Sequence, residues 1–513
     1  MTDHAARPAS SQGLDPADRG LLSPVWASPD VAGETGDAAI VAAMLELEAA
    51  WAETLESAGL VEDGAGAAVR EVVRAVVGGQ ATDDGGVAAQ AGSAPSSVVE
   101  PRATTTAFDA GRLANAAQGG GNPVIPLVKA LRAAVPDGPG RAAVHRGLTS
   151  QDVLDSALML TAKRASVRIH ADLAAAADAL ADLAAQHRTT PQVARTLAQH
   201  SLPSSFGLKA ANWLQGVAHA ERSVAALAFP VQCGGAAGTN ASLVALGAEP
   251  HALAADWAHR AGLDAAVAPW QSFRGPVADL GHALAAVCSA AGHVANDVLL
   301  LSRPEIGELG EPVAEGRGVS SAMPQKQNPA LSALIRSAAL RAPADAMQLE
   351  LAAALSEDER TGGAWHTEWP ALRELLRLAA GSAAALRELA AGLRVFPDRM
   401  RANLELSGPL LVSERIMLEL SDVAEGGRAG IQQAVDAALA ASAAGPAEQA
   451  RVLRKELRAV VREGDATRDA SAEDLEARLD DLLDPARYQG DAAGIVDRIL
   501  KNYEESGARR RRA

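Results

Sequence analysis

The chain of 513 residues is 48% hydrophobic but only 3% aromatic, and it carries a formal net charge of -16. Its acidic balance argues against nucleic-acid and anionic-membrane partners, because the average surface repels phosphate groups. A core built mainly from Ala, Leu and Val favours closely packed helices over sheets. The length exceeds what one compact core holds, so we expect two or three subdomains.

The two cysteines, Cys233 and Cys288, show no CxxC spacing, which predicts buried free thiols rather than a disulfide framework or a zinc site. The histidines show no HExxH or paired-ligand spacing, so we expect neither a metal nor another cofactor. Residues 1–20 lack the apolar stretch of a secretory signal. The most apolar segments are interrupted by His, Asp, Arg or Gly, which predicts a cytoplasmic protein without a membrane span.

In chain order, residues 1–20 are expected to form a disordered tail, and residues 21–118 an N-terminal helical domain. Its first helix is predicted to begin near Asp37, where apolar residues recur at helical spacing. Residues 78–106 are rich in Gly, Ser, Thr and Asp. They predict a flexible surface insertion, because such a stretch buries little apolar area.

A central helical bundle is predicted over residues 119–369. Residues 150–187 contain neither Gly nor Pro and show one apolar face, which predicts a helix on the order of 55 Å long. Further long helices are predicted over residues 206–229, 277–302 and 330–355. The segment 277–302 is apolar on all sides, so we expect oligomerisation through this bundle.

The rest of the chain is predicted to form a C-terminal helical domain over residues 370–504. It contains shorter helices, the last of them over residues 492–503. No repeat period is found along the chain, which argues against a solenoid. Residues 505–513 form a basic tail, which we expect to be frayed and solvated.

Residues 316–329 read Gly-Arg-Gly-Val-Ser-Ser-Ala-Met-Pro-Gln-Lys-Gln-Asn-Pro. Their Gly, Ser and Pro content predicts a loop. The segment offers hydroxyls, a cation and an amide, which suit proton abstraction beside a carboxylate and stabilisation of the resulting enolate. A plain connection between helices would not require Lys326 and Asn328 between prolines.

This loop resembles GSSxMPxKxNP, the signature of the fumarase/aspartase superfamily. The resemblance implies that Ser320 is the catalytic base, that Lys326 is catalytic, and that Asn328 binds substrate. The sequence departs from the pattern at Val319, where the family has Gly. Because a β-branched residue disfavours the positive φ open to Gly, a stiffer loop is expected.

A second block, His-Arg-Gly-Leu-Thr-Ser-Gln-Asp at residues 145–152, precedes the longest predicted helix. Thr149 and Ser150 can cap that helix where free backbone amides attract a carboxylate. The block is similar to the family's HxGxTSxD region, which implies that Thr149 and Ser150 hold a substrate carboxylate and that His145 belongs to the same binding site. An ordinary helix cap with a solvent-facing His145 is the alternative.

A third block, Arg-Thr-Leu-Ala-Gln-His-Ser-Leu-Pro at residues 195–203, is similar to the family's RTHxxxAxP region. Leu197 stands where fumarases and the adenylosuccinate and argininosuccinate lyases place His. Since leucine cannot transfer a proton, we predict His200 as the general acid. A purely structural histidine is the alternative. Gln199 is predicted to bind substrate.

The same departure favours the 3-carboxy-cis,cis-muconate cycloisomerases, which commonly carry Trp or a similar apolar residue at that position. Other segments similar to cycloisomerases are residues 121–131, 206–211, 234–239, 364–372 and 482–490. The resemblance implies reversible lactonisation of 3-carboxymuconate to 4-carboxymuconolactone, in protocatechuate breakdown by the β-ketoadipate pathway. In reverse, the lactone opens by a β-elimination that expels a carboxylate, so one enolate-stabilising loop serves both directions.

A small tricarboxylate substrate needs cations, and Arg274, Lys326 and Arg146 are the first candidates. Arg360 is instead predicted to form an ion pair on a helix face. The resemblance implies an all-α, three-domain fold whose long-helix bundle forms a homotetrameric core, with composite active sites drawn from different subunits. Two alternatives stay open: an adenylosuccinate- or argininosuccinate-type lyase, and a non-catalytic helical scaffold of the same fold.

Overall fold

The structure, a computed structural model, describes residues 29–83, 106–319, 323, 325–461 and 472–510. The predicted all-α class is confirmed, because most of these residues are helical and their strands form two small two-stranded sheets. The predicted tail at residues 1–20 lies outside the described residues, as does most of the predicted insertion.

The described residues contain the following α-helices and strands. In chain order they are α1 (Pro29–Glu34), α2 (Asp37–Ser57), α3 (Ala65–Asp83), α4 (Ala110–Ala117), α5 (Val124–Ala134), α6 (Pro139–Ala143), α7 (Ser150–Gln186), α8 (Phe206–Ala225), α9 (Ala241–Ala245), α10 (Pro250–Ala261), α11 (Gly275–Leu301), α12 (Ala330–Ala354), α13 (Ala364–Ala391), α14 (Pro397–Glu405), α15 (Ser413–Leu420), α16 (Gly427–Ala440), α17 (Pro446–Val460), α18 (Ala472–Leu483) and α19 (Ala492–Arg510). The strands are β1 (Pro191–Thr196), β2 (Gln199–Ser205), β3 (Leu309–Gly310) and β4 (Arg394–Val395).

The predicted long helices are confirmed. Helix α2 begins at Asp37, and α7, α8, α11 and α12 end within a few residues of the predicted limits. Two boundaries differ. Helix α3 continues through Asp83, so the first residues of the predicted insertion are helical, and α19 continues to Arg510 because Ala and Arg are good helix formers.

One compact unit comprises Met1–Asp172, Ala220–Ser289 and Ser337–Ala384. In its core the ring of Trp51 lies edge to face on Trp257, with 5.2 Å between centroids. The indole N–H of Trp51 donates to the carbonyl of Arg146 at 2.9 Å. This bond ties the segment before α7 to helix α2.

The second compact unit comprises Leu173–His219, Ala290–Arg336 and Ala385–Ala513. Its antiparallel β1–β2 hairpin turns through Leu197 and Ala198, which have φ values of 50° and 64°. Positive φ at both central residues is the geometry of a type I′ turn, which normally selects Asn and Gly. The Leu-Ala pair is therefore strained, and the Leu197 side chain is 99% exposed within the chain.

The same unit holds an apolar core formed by α15 to α18. Its buried residues include Ile416, Ile431, Leu453 and Leu479. The predicted three-domain division stays a prediction.

Helix α11 corrects one expectation, since by length and composition alone it is apolar enough to cross a membrane. Half of its most apolar window is buried inside the protein. Its polar residues also have protein partners: the Asp297 carboxylate accepts from the Trp213 indole N–H at 2.8 Å, and His282 contacts Glu350. These are the contacts of a core helix in a bundle.

Both cysteines are free and buried, as predicted.

Candidate active site

The buried carboxylate of Asp152 stabilises the N-terminus of α7. This carboxylate accepts from the backbone N–H groups of Thr149 at 2.9 Å, Gly234 at 2.9 Å and Gly235 at 3.0 Å. Burial raises the pKa of Asp152 to about 6, although the three backbone donors act in the opposite direction. Thr149 and Ser150 are thus held at the start of a 37-residue helix by a contact that also fixes the Gly234–Gly235 segment.

His145 is bound to a carboxylate rather than facing solvent freely. Its Nδ1 lies 2.7 Å from Oε1 of Glu48, whose side chain is fully buried, and its backbone N–H donates to Oε2 of the same residue at 2.9 Å. The two bonds to one carboxylate hold His145 in a left-handed backbone conformation with a φ of 56°. The ring orientation is therefore set by Glu48, a contact with no signal in the sequence.

Arg360 corrects a second expectation, because it lies outside the helices and forms no ion pair with any residue that the structure describes. It lies in the connection between α12 and α13, and its Nη2 donates to Oγ1 of Thr149 at 2.5 Å. An exposed guanidinium thus contacts the threonine predicted to hold a carboxylate. The Gly pair at 362 and 363 is the sequence signal that could have indicated a loop here.

Arg274, a predicted substrate ligand, is 2% exposed. Its five N–H groups form hydrogen bonds to both oxygens of Asp155, both oxygens of Glu368, and the carbonyl of Trp270. The Asp155 carboxylate also accepts from the Trp365 indole at 2.8 Å. Every N–H group of Arg274 is thus used by a protein acceptor, which favours a structural role, and the substrate contact expected from the sequence stays a prediction.

The signature loop is closed at its base by Gly318 and Asn328. The backbone N–H of Asn328 donates to the Gly318 carbonyl at 2.9 Å, and the Asn328 side chain donates to the same oxygen at 3.2 Å. Gly318 has a φ of 67°, and a Cβ there would lie 2.4 Å from the Asn328 carbonyl oxygen. Val319 forms a β-bridge with Gln327, so Gly318 supplies the left-handed conformation and Val319 is extended.

Both arms of the loop are anchored to neighbouring elements. The Glu311 carboxylate accepts from the backbone N–H groups of Leu331 and Ser332 at the start of α12, at 3.1 and 2.6 Å. Arg317 forms a two-pronged ion pair with Glu388 on α13. Lys326 is exposed, and Ser320 lies outside the described residues.

His200 lies on β2 beside a cavity of about 470 Å³. Its Nδ1 lies 2.7 Å from Oγ of Ser407. Burial, and then the positive charge of Arg195, lower the pKa of His200 below its ordinary value of 6.5. The ring is therefore mainly neutral at pH 7. Gln199, its neighbour on the hairpin, is exposed.

The structure groups the predicted residues by compact unit. The first unit holds His145, Thr149 and Ser150, and Arg360 contacts Thr149 there. The second unit holds Gln199 and His200 on the hairpin and Lys326 and Asn328 in the loop. Across the described part of the chain, no group of three or more His, Cys, Asp or Glu side chains is placed to hold a metal ion. The expected absence of a metal stays a prediction.

Comparison with known proteins places these regions in a family context. A family model described as lyase matches residues 128–343. The nitrosuccinate lyase of Streptomyces davaonensis is 44% identical over 492 residues, which cover 94% of this chain and 94% of that protein. The 3-carboxy-cis,cis-muconate cycloisomerase of Bradyrhizobium diazoefficiens is 39% identical over 425 residues, which cover 81% of this chain and 90% of that protein.

The fold of this chain is also similar to that of solved structures. The 3-carboxy-cis,cis-muconate lactonizing enzyme from Pseudomonas putida superposes with a TM-score of 0.79 at 31% sequence identity. The match covers 94% of this chain and 99% of that chain. The likeness therefore extends over nearly the whole of both chains.

Proposed function

Because the chain belongs to the fumarase/aspartase superfamily of enzymes, we propose that it catalyses a β-elimination on a substituted succinate, with nitrosuccinate as its substrate. The relative that is 44% identical acts on this compound, and it matches 94% of each chain. The products are fumarate and nitrite.

The choice of nitrosuccinate rests on the 44% identical relative, and Leu197 supports an anionic leaving group: it occupies the tip of the β1–β2 hairpin and is 99% exposed. Leucine has no proton to give to a leaving group. An amine leaving group needs protonation, because its free anion is a very strong base, whereas nitrite is a weak base and departs as an anion. A site with leucine at this position therefore suits a substrate whose leaving group needs no general acid.

The proposed reaction begins with Ser320, whose deprotonated Oγ takes a proton from the carbon next to one carboxylate and later releases it to solvent. The electron pair of that C–H bond delocalises into the carboxylate, and Lys326 stabilises the added negative charge. The pair then forms the carbon–carbon double bond, while the bond from the neighbouring carbon to the nitro nitrogen breaks. One nitrosuccinate dianion gives one fumarate dianion, one nitrite and one proton, and Thr149 and Ser150 hold a carboxylate throughout.

The direct test is a steady-state assay of the purified protein with nitrosuccinate. We expect nitrite and fumarate to appear in a one-to-one ratio, with nitrite measured by diazo coupling and fumarate by chromatography. Adenylosuccinate and argininosuccinate should stay unchanged under the same conditions. Fumarate release from either of these two, without turnover of nitrosuccinate, would contradict the proposal.

A second candidate is the 3-carboxy-cis,cis-muconate cycloisomerase reaction predicted from the sequence. Two observations favour it: the cycloisomerase relative is 39% identical, and the lactonizing enzyme superposes with a TM-score of 0.79. A carboxylate, like nitrite, leaves without a proton, so Leu197 is compatible with both reactions. The ratio of kcat/KM for 3-carboxymuconate to that for nitrosuccinate decides between them. The better of two substrates is expected to exceed the other by at least about 100-fold.

His200 gives a prediction that separates proton donation from a structural role. Its lowered pKa leaves the ring mainly neutral at pH 7, so we expect His200→Gln to lower kcat for nitrosuccinate by less than about tenfold. If His200 were a general acid, kcat of the wild type would fall as pH rises through a pKa below 6.5. In that case His200→Gln would lower kcat by about 100-fold or more. Measurement of kcat from pH 5 to pH 8 for both proteins distinguishes these outcomes.

We also propose that the enzyme is a cytoplasmic homotetramer whose active sites combine regions from different subunits. The apolar surface of α11 supports this, because only half of its most apolar window is buried within one chain. Sedimentation analysis tests the assembly.

A further inference from the structure

We propose that Arg360 binds a substrate carboxylate and thereby acts as a specificity-determining residue beside Thr149. The choice of a four-carbon dicarboxylate as its ligand rests on the proposed function. Nothing in the sequence motifs assigns a role to Arg360.

The Arg360 guanidinium contacts the threonine at the start of α7. Nη2 of Arg360 donates to Oγ1 of Thr149, and within the described part of the chain Thr149 is the partner found for this guanidinium. The remaining N–H groups are therefore available to a ligand. Because a guanidinium presents paired donors in a fixed plane, it can bind both oxygens of a carboxylate while its contact with Thr149 sets its position.

Local hydrogen bonds order the connection between α12 and α13, which carries Arg360. The Glu357 carboxylate accepts from Oγ1 of Thr361 at 3.0 Å and from the backbone N–H of Gly362 at 2.8 Å. Asp358 adopts a φ of 52°, which is an uncommon conformation for a residue other than Gly. These local bonds fix the backbone on both sides of Arg360, so its side chain approaches Thr149 from an ordered loop.

The other two arginines of this unit that were predicted to bind substrate, Arg274 and Arg146, donate hydrogen bonds to protein acceptors. All five N–H groups of Arg274 bind protein acceptors, and the side chain is buried. Arg146 donates from Nη1 to the Leu60 carbonyl at 2.9 Å. Arg360 differs because it is exposed and contacts the residue already implicated in carboxylate binding.

The test compares fumarate with monomethyl fumarate, which lacks one carboxylate charge. We expect wild-type protein to bind fumarate at least about tenfold more tightly than the monoester in isothermal titration calorimetry. In Arg360→Met, fumarate binding should weaken by about 10- to 100-fold and the preference for the dianion should disappear. Arg360→Lys should restore part of the preference, because it keeps the charge but not the paired donors.

The matched control is Arg341→Met, which removes an exposed arginine that pairs with Asp345 on the surface of α12. It should bind both compounds as the wild type does. A preference for fumarate that survives in Arg360→Met would overturn the inference, as would wild-type protein that binds neither compound. If the preference is lost as expected but nitrosuccinate is not turned over by wild type, the proposed function fails while the role of Arg360 stands.

Discussion

Replacing Ser320 by alanine is expected to lower kcat for nitrosuccinate by about 1,000-fold or more, because the hydroxyl is the proposed base for the carbon-bound proton. The substitution should leave the folded assembly intact. The base of the loop is closed by Gly318 and Asn328, and the Arg317–Glu388 ion pair anchors its first arm, so neither contact depends on residue 320. Stopped-time nitrite assays measure kcat, and sedimentation analysis monitors the assembly.

The neighbouring hydroxyl provides the comparison for this experiment. Ser321→Ala removes a hydroxyl from the same loop one position later and should retain at least about a tenth of the wild-type kcat. Full turnover in Ser320→Ala would exclude Ser320 as the base. Loss of turnover in Ser321→Ala alone would assign the role to Ser321 instead.

Replacing Arg274 by methionine is expected to lower the free energy of unfolding by about 3–5 kcal/mol, because it leaves the carboxylates of Asp155 and Glu368 buried without their cation. Urea denaturation followed by circular dichroism measures the loss. The matched control is Arg260→Met, since Arg260 pairs with Asp256 on the surface of α10. That substitution should lower the free energy of unfolding by less than about 1 kcal/mol.

The loss of stability caused by Arg274→Met is expected to depend on pH. Burial already raises the pKa of Glu368 in the wild type, although the ion pair with Arg274 lowers it. Without the arginine this pKa rises further, so the folded protein takes up a proton more readily than the unfolded chain. Such a group stabilises the fold at low pH and loses that effect as pH rises through the folded-state pKa. The defect should therefore be smaller at pH 5 than at pH 8, and a defect that grows on acidification would contradict this account.

Helix positions could be predicted from the sequence because they depend on local spacing. The absence of Gly and Pro from residues 150–187 predicted α7, which spans Ser150–Gln186. The β1–β2 hairpin was not predicted, because its turn carries Leu197 and Ala198 instead of the Asn-Gly pair that usually marks a type I′ turn.

Side-chain roles were harder to predict than helices, because they depend on partners far along the chain. The ion pairs of Arg274 were not predicted, since its partners Asp155 and Glu368 lie 119 and 94 residues away in sequence. Arg360 was wrongly expected to form a helix-face ion pair for the same reason, as Thr149 lies 211 residues away. The motif residues Thr149 and Ser150 were placed correctly at the start of α7, because a helix cap is set by its immediate neighbours.

The exposed tip of the β1–β2 hairpin also bears on how this enzyme could diverge. Because the Leu197 side chain has almost no contact within its own chain, exchanging it disturbs no packed neighbour and costs the folded chain little. Substitutions that tolerate its φ of 50° are therefore expected to have little effect on folding. If the proposed function holds, a single substitution at this position could change which leaving groups are accepted without compensating changes in the core of the chain.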